Sequence, residues 1–148
     1  MSSSFTNTLT VQQPAHVVFA YLAQFENVPS WNYAIDSTRK MTEGPVGVGT
    51  VYHQTRSIPR PSEESFVVTA IESDRRLAIE GEIGPFHAQI DYVLEPTGSG
   101  TTLVNTVVLG QSGLLSLAAP LAARQVKAAV AANLQVLKSL LEAPGSVE

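Results

Sequence analysis

The densest polar chemistry in the chain lies in residues 50–58, where Tyr52, Gln54, Arg56 and Ile58 alternate with Val51, His53, Thr55 and Ser57. Successive side chains of an extended strand point to opposite faces. Neither set is clearly apolar, so either can line a cavity. With the first set inward, Arg56 is a cation able to bind a carboxylate or polarise a carbonyl, assisted by Tyr52 and Gln54. With the second inward, His53 supplies a general base or a simple hydrogen-bonding group. The plainer expectation for Arg56 is a surface position screened by water.

Two further candidates are polar members of apolar alternations. Tyr92 belongs to Phe86, Ala88, Ile90, Tyr92 and Leu94, and Asn105 to Leu103, Asn105, Val107 and Leu109. Either can orient a ligand oxygen or merely satisfy a backbone group. Arg56, Tyr92, Asn105 and His53 are therefore the candidate catalytic residues.

Other constellations carry less. Glu80 and Glu82 share a strand face about 7 Å apart, within the range used by paired glycosidase carboxylates. That face alternates with Leu77, Ile79 and Ile83 and should look into water, as should Asp91 and His87. His16, His53 and His87 have no ligand-like spacing, so a metal site is not expected. Gly44-Pro-Val-Gly-Val-Gly49 runs into a strand rather than a helix N-terminus, and reads as a turn rather than a phosphate loop. No Gly-x-Ser-x-Gly elbow occurs, which leaves nucleophilic hydrolysis without support.

Composition bounds the function further. A chain of 148 residues fits one domain, with an ordered core expected over about 4–142. Its 44% hydrophobic content is high for that length and points to an apolar cavity or a self-association surface, leaving a homodimer open. A net charge of −4 without a basic patch argues against nucleic acid and anionic membranes as partners. The absence of cysteine removes disulfides, thiolate catalysis and sulfur-ligated metals. No apolar window is long enough to span a bilayer and no secretory signal is evident, so the expected location is the cytoplasm. No cofactor is implied.

The elements that must position these residues are mostly strands. Phe5, Leu9 and Val11 alternate with threonines in a first strand. Pro14 opens a short helix with an apolar stripe of Val17, Val18, Tyr21, Leu22 and Phe25. A second helical turn lies at 27–31. Strands are then expected at 37–42, 50–58, 64–72, 77–83, 86–95 and 101–109, joined by short Gly/Pro/Ser turns. Such connections imply neighbouring antiparallel strands. A long helix closes the chain from about 112 to 142, broken at Pro120, with its stripe at Val126, Val130, Leu134, Leu137 and Leu141 and many alanines elsewhere. The segment 112–119 could act as a flap.

Several segments, in this order, match one family: Pro14-Ala-His-Val-Val-Phe-Ala-Tyr-Leu22, Glu26-Asn-Val-Pro-Ser-Trp31, Gly44-Pro-Val-Gly-Val-Gly-Thr50, Gly84-Pro-Phe86, Tyr92-Val-Leu-Glu-Pro96 and Gly100-Thr-Thr-Leu103. On these the chain resembles the polyketide cyclase/dehydrase-like branch of the START and Bet v 1-like (SRPBCC) superfamily. The resemblance implies an α+β helix-grip fold. A curved antiparallel sheet in β-αα-β6-α order would wrap around the long C-terminal helix and leave a pocket between them. The superfamily includes binders, cyclases, hydratase-like enzymes and cochaperone-like domains.

The leading expectation is a single START/Bet v 1-like domain that binds a small hydrophobic ligand (a lipid, polyketide or aromatic metabolite) in that cavity. The alternatives are a polyketide cyclase/dehydratase-type enzyme using polar cavity residues, and a protein-interaction domain; catalysis is left open. The expected lining is Trp31, Tyr33, Tyr52, Phe66, Ile79, Phe86, Ile90, Tyr92, Leu103, Asn105, Val126 and Val130. Trp31 is read more as a structural plug than as a ligand platform.

Overall fold

The computed structural model describes residues 2–84, 86–110 and 119–144. Strand β1 (Ser2–Val11) leads into helix α1 (Ala15–Ala23), a 3-10 turn over Phe25–Asn27 and the one-turn helix α2 (Val28–Trp31). Strands β2 (Ile35–Lys40), β3 (Val51–Arg56), β4 (Ser62–Glu72), β5 (Arg76–Ile83), β6 (Phe86–Thr97) and β7 (Gly100–Gly110) follow, and then helix α3 (Ala119–Glu142). This is the order expected from the sequence.

The strands form one antiparallel sheet in the order β1-β7-β6-β5-β4-β3-β2. Helices α1 and α2 carry the chain from one sheet edge at β1 to the other at β2. Curvature has local causes. The register slips between Val68 and Ala70 where β4 meets β5, and such bulges bend a strand and increase its twist. Next to that bulge, Gly81 on β5 lets the backbone of β4 approach so closely that a Cβ there would lie 2.3 Å from the Ser65 carbonyl oxygen.

One feature of the expected helices changes: Pro14 sits at the N-cap of α1, one residue before the first helical position. The description of α3 begins at Ala119, so the expected interruption at Pro120 of a helix running from about 112 rests on residues outside those described. The rest of the expected flap, 112–118, lies outside the described residues.

Helix α3 has two unlike halves. Leu134, Leu137 and Leu141 are fully withdrawn from water and pack into the main core with Val11, Val18, Leu77, Leu94 and Leu103. Each such leucine contributes about 1.5–3 kcal/mol through burial. The earlier half presents Ala123, Val126 and Val130 to a smaller cluster of Phe5, Phe86, Ala88, Val107 and Leu109. Branched leucines fill the space under the sheet at one end. Alanine and valine do not fill it at the other, and the cavity opens there.

The last turn of α3 is fastened to the β1–α1 corner. The Glu142 carboxylate accepts hydrogen bonds from the Gln12 amide at 2.7 Å and from Lys138 Nζ at 2.9 Å. Gln13 Nε2 donates to the Leu141 carbonyl at 2.7 Å, satisfying a helix-end acceptor. The Lys138 and Gln12 donors hold the Glu142 carboxyl below its ordinary pKa.

Candidate functional site

A cavity of about 530 Å³ lies between the sheet and the Ala/Val half of α3, within the range of small-molecule sites. Leu22, Phe25, Val28, Trp31 and Ala34 close one side. Phe66, Ile79, Gly81, Phe86, Ala88, Ile90 and Val107 form the sheet wall, and Val126, Ala129 and Val130 the helix wall. The polar side chains on it are few, among them Gln54, Arg56, Tyr92, Asn105, Gln125 and Asn133. At the mouth Tyr33 is exposed, and its backbone amide donates to Asn133 Oδ1 at 3.4 Å, linking the segment after α2 to α3.

Strand β3 turns Tyr52, Gln54 and Arg56 inward and His53 outward. Arg56 is thus not the water-screened surface residue expected. Its side chain is 9% exposed and paired with Glu64, which is 2% exposed. Arg56 Nε donates to Glu64 Oε2 at 2.6 Å and Nη2 to Oε1 at 3.1 Å. Gln54 Nε2 donates to Oε1 at 2.8 Å, and the Gly84 amide to Oε2 at 2.8 Å. Four donors therefore converge on one buried carboxylate, and the Arg56 charge is matched within the wall. Such a guanidinium is a weaker electrophile than a free one would be.

The sequence reading missed Glu64 as a site residue. One signal was present: Glu64 shares a face of β4 with Phe66 and Val68, both buried. The partner was not readable, because the pairing of Gln54 with Glu64 depends on strand register.

His53 lies on the outer face, 3.1 Å from Glu63, and does not reach the cavity. Tyr52 is inward but sits behind the wall, stacked on Phe66 at 5.2 Å and tilted against Phe25 at 4.8 Å. Its hydroxyl is buried without a partner among the described residues. Burial, reinforced by the Glu26 charge, pushes its pKa up to about 12. Leu103 belongs to the packed core rather than to the lining. The other expected lining residues (Trp31, Tyr33, Phe66, Ile79, Phe86, Ile90, Tyr92, Asn105, Val126 and Val130) all border the cavity. Trp31 also packs into the main core.

Tyr92 on β6 and Asn105 on β7 are directly opposed and face the cavity together. Burial raises the Tyr92 pKa well above its ordinary value, so the phenol stays protonated and can donate. Asn105 is 0% exposed; its Nδ2 donates to the Asp91 carbonyl at 3.4 Å, while Oδ1 has no partner among the described residues.

The outer-face groups pair with one another. His87 Nε2 meets Glu80 at 2.7 Å and Nδ1 approaches Glu82 at 3.6 Å, while Arg76 forks onto Asp91 with its shortest contact at 2.7 Å. Among the described residues no group of three or more His, Asp or Glu side chains could hold a metal ion, and no helix is long and apolar enough to cross a membrane.

Comparison with curated proteins by sequence finds no match. The architecture is the helix-grip fold, and solved structures share it at low identity. The Zhui aromatase/cyclase from Streptomyces sp. R1128 superposes with a TM-score of 0.78 at 17% identity, covering 96% of this chain and 94% of that one. The di-domain ARO/CYC StfQ of the steffimycin biosynthetic pathway gives 0.79 at 15% identity, covering 96% of this chain and 51% of that one. Ara h 8.0201 gives 0.73 at 17% identity, covering 95% and 98%. At these identities the likeness is one of fold. Over residues 2–142 the chain matches the family described as polyketide cyclase / dehydrase and lipid transport, and it belongs to that family.

Proposed function

We propose that the protein is a binding module for a small, largely apolar molecule, of the lipid, polyketide or aromatic-metabolite kind, held between the sheet and α3. The observation that carries this reading is the cavity of about 530 Å³ with an apolar wall drawn from the sheet and all three helices. Apolar walls with a few placed polar groups are the usual composition of ligand sites. Native mass spectrometry of the purified protein, and titration with the neutral dye N-phenylnaphthylamine, test it. Saturable binding with enhanced dye emission is expected, and Val130→Trp, which places an indole in the cavity, should suppress it. Absence of dye binding to the wild-type chain would refute the proposal.

A second reading, a cyclase/dehydratase-type enzyme, draws on Tyr92. A protonated phenol in an apolar cavity can donate to a substrate carbonyl and stabilise an enolate-like oxygen. Against it, the Arg56 charge is matched by Glu64. Incubation with a poly-β-ketone thioester mimic distinguishes the two. Cyclised or dehydrated product that disappears with Tyr92→Phe supports the enzyme; unchanged substrate with retained dye binding supports the binder.

A further inference from the structure

Resting on the binding reading, we infer that Glu64 is a specificity-determining residue: by holding Arg56 it makes the cavity take neutral molecules and reject carboxylates. The chain has 9 Lys and Arg residues, all among the described ones, and of these Arg56 alone borders the cavity. A free guanidinium in such a wall is the natural partner of a carboxylate, which it grips through two parallel N–H groups. In this chain that fork is already filled. Arg56 Nε and Nη2 donate to the two oxygens of Glu64 at 2.6 Å and 3.1 Å, and Nη1 donates to the Ile58 carbonyl at 3.4 Å.

A ligand carboxylate cannot simply take the place of Glu64. That side chain is also held by Gln54 Nε2 and the Gly84 amide, both at 2.8 Å, so displacing it strands those donors as well. Nor can the ligand share the guanidinium cheaply. Two Arg56 N–H groups remain for a neutral oxygen. A second anion there would lose its hydration in an apolar wall, against a charge that Glu64 already matches. The other carboxylate at the cavity has the same sign: Glu82 is 54% exposed and lies 3.6 Å from His87 Nδ1.

The test measures displacement of N-phenylnaphthylamine from the full chain at neutral pH by methyl naphthoate and by naphthoate, which share a skeleton and differ in charge. Wild type should bind the ester about tenfold tighter or more. Any apolar cavity would show that preference, so the variants carry the assignment to Glu64. Glu64→Gln keeps the side chain's size but replaces an acceptor oxygen with an NH2 group, leaving the Arg56 charge unmatched. Its naphthoate affinity should rise about tenfold to a hundredfold, the worth of a charge-assisted hydrogen bond, with a smaller change for the ester. Where circular dichroism shows this variant partly unfolded, naphthoate should restore the fold by binding the native chain, and the ester should do so less. The Arg56→Met/Glu64→Leu double variant should show no gain, since no cation remains. Three results would each overturn the inference and leave the apolar binding reading intact: wild type binding naphthoate as tightly as the ester, Glu64→Gln gaining neither naphthoate affinity nor fold, or an equal gain in the double variant. Failure of the dye itself to bind would overturn both.

Discussion

Arg56 and Glu64 meet diagonally across β3 and β4 at 2.6 Å, and both side chains are nearly excluded from water. Removing two charges from solvent is costly, and their attraction compensates only when the remaining donors and acceptors are also satisfied. Glu64 meets that condition through Gln54 and the Gly84 amide. It therefore joins β3, β4 and the turn after β5 at the edge of the cavity. Glu64→Leu strands a buried guanidinium and should destabilise the fold by about 3–5 kcal/mol in urea denaturation. The Arg56→Met/Glu64→Leu double variant should recover part of that loss, because no uncompensated charge remains. A double variant no more stable than Glu64→Leu would show that the charges are not energetically coupled.

How far the sequence revealed this site follows from its local patterns. Strands β6 and β7 were legible because Phe86, Ala88, Tyr92 and Leu94, and likewise Leu103, Val107 and Leu109, repeat every second position, and the structure buries them. Strand β3 was not, because both of its faces are polar; the inward face is decided by Glu64, a partner ten residues or fewer away in sequence but identifiable only through register. Tyr52 and Leu103 show a different limit. Their parity is inward, yet they face the part of the core filled by Phe25 and Phe66 or by the leucines of α3. Where along a strand the cavity falls depends on the taper of the opposing helix, which alternation does not encode.

The outer face carries a pH-dependent element. The hydrogen bond from His87 to Glu80, with a lesser contribution from Glu82, raises the His87 pKa above its ordinary 6.5. A raised folded pKa means that the stabilising contribution is fully present below about 6.5 and is lost as pH rises through the folded value. His87 is exposed, so the effect on global stability is small. NMR titration of the ring should show a midpoint above 6.5, and Glu80→Gln should move it downward. An unchanged midpoint in Glu80→Gln would mean that Glu80 is not the cause.

Gly81 ties the shape of the sheet to the cavity it borders. A Cβ at this position would lie 2.3 Å from the Ser65 carbonyl oxygen and 2.6 Å from the Phe66 Cα, both backbone atoms that no rotamer change can move. Gly81→Ala must therefore push β4 and β5 apart, at a cost of about 1–3 kcal/mol typical of overpacking. For a domain of this size each kcal/mol lowers Tm by roughly 2–4 °C. The displacement would also move Phe66, a wall residue paired with Gly81 in register, so dye affinity should fall together with Tm. Gly47→Ala is the control: nothing lies within 4 Å of its added Cβ, and its effect should stay within about 0.5 kcal/mol. Equal melting temperatures for the two variants would show that the close approach of β4 to Gly81 does not constrain the sheet.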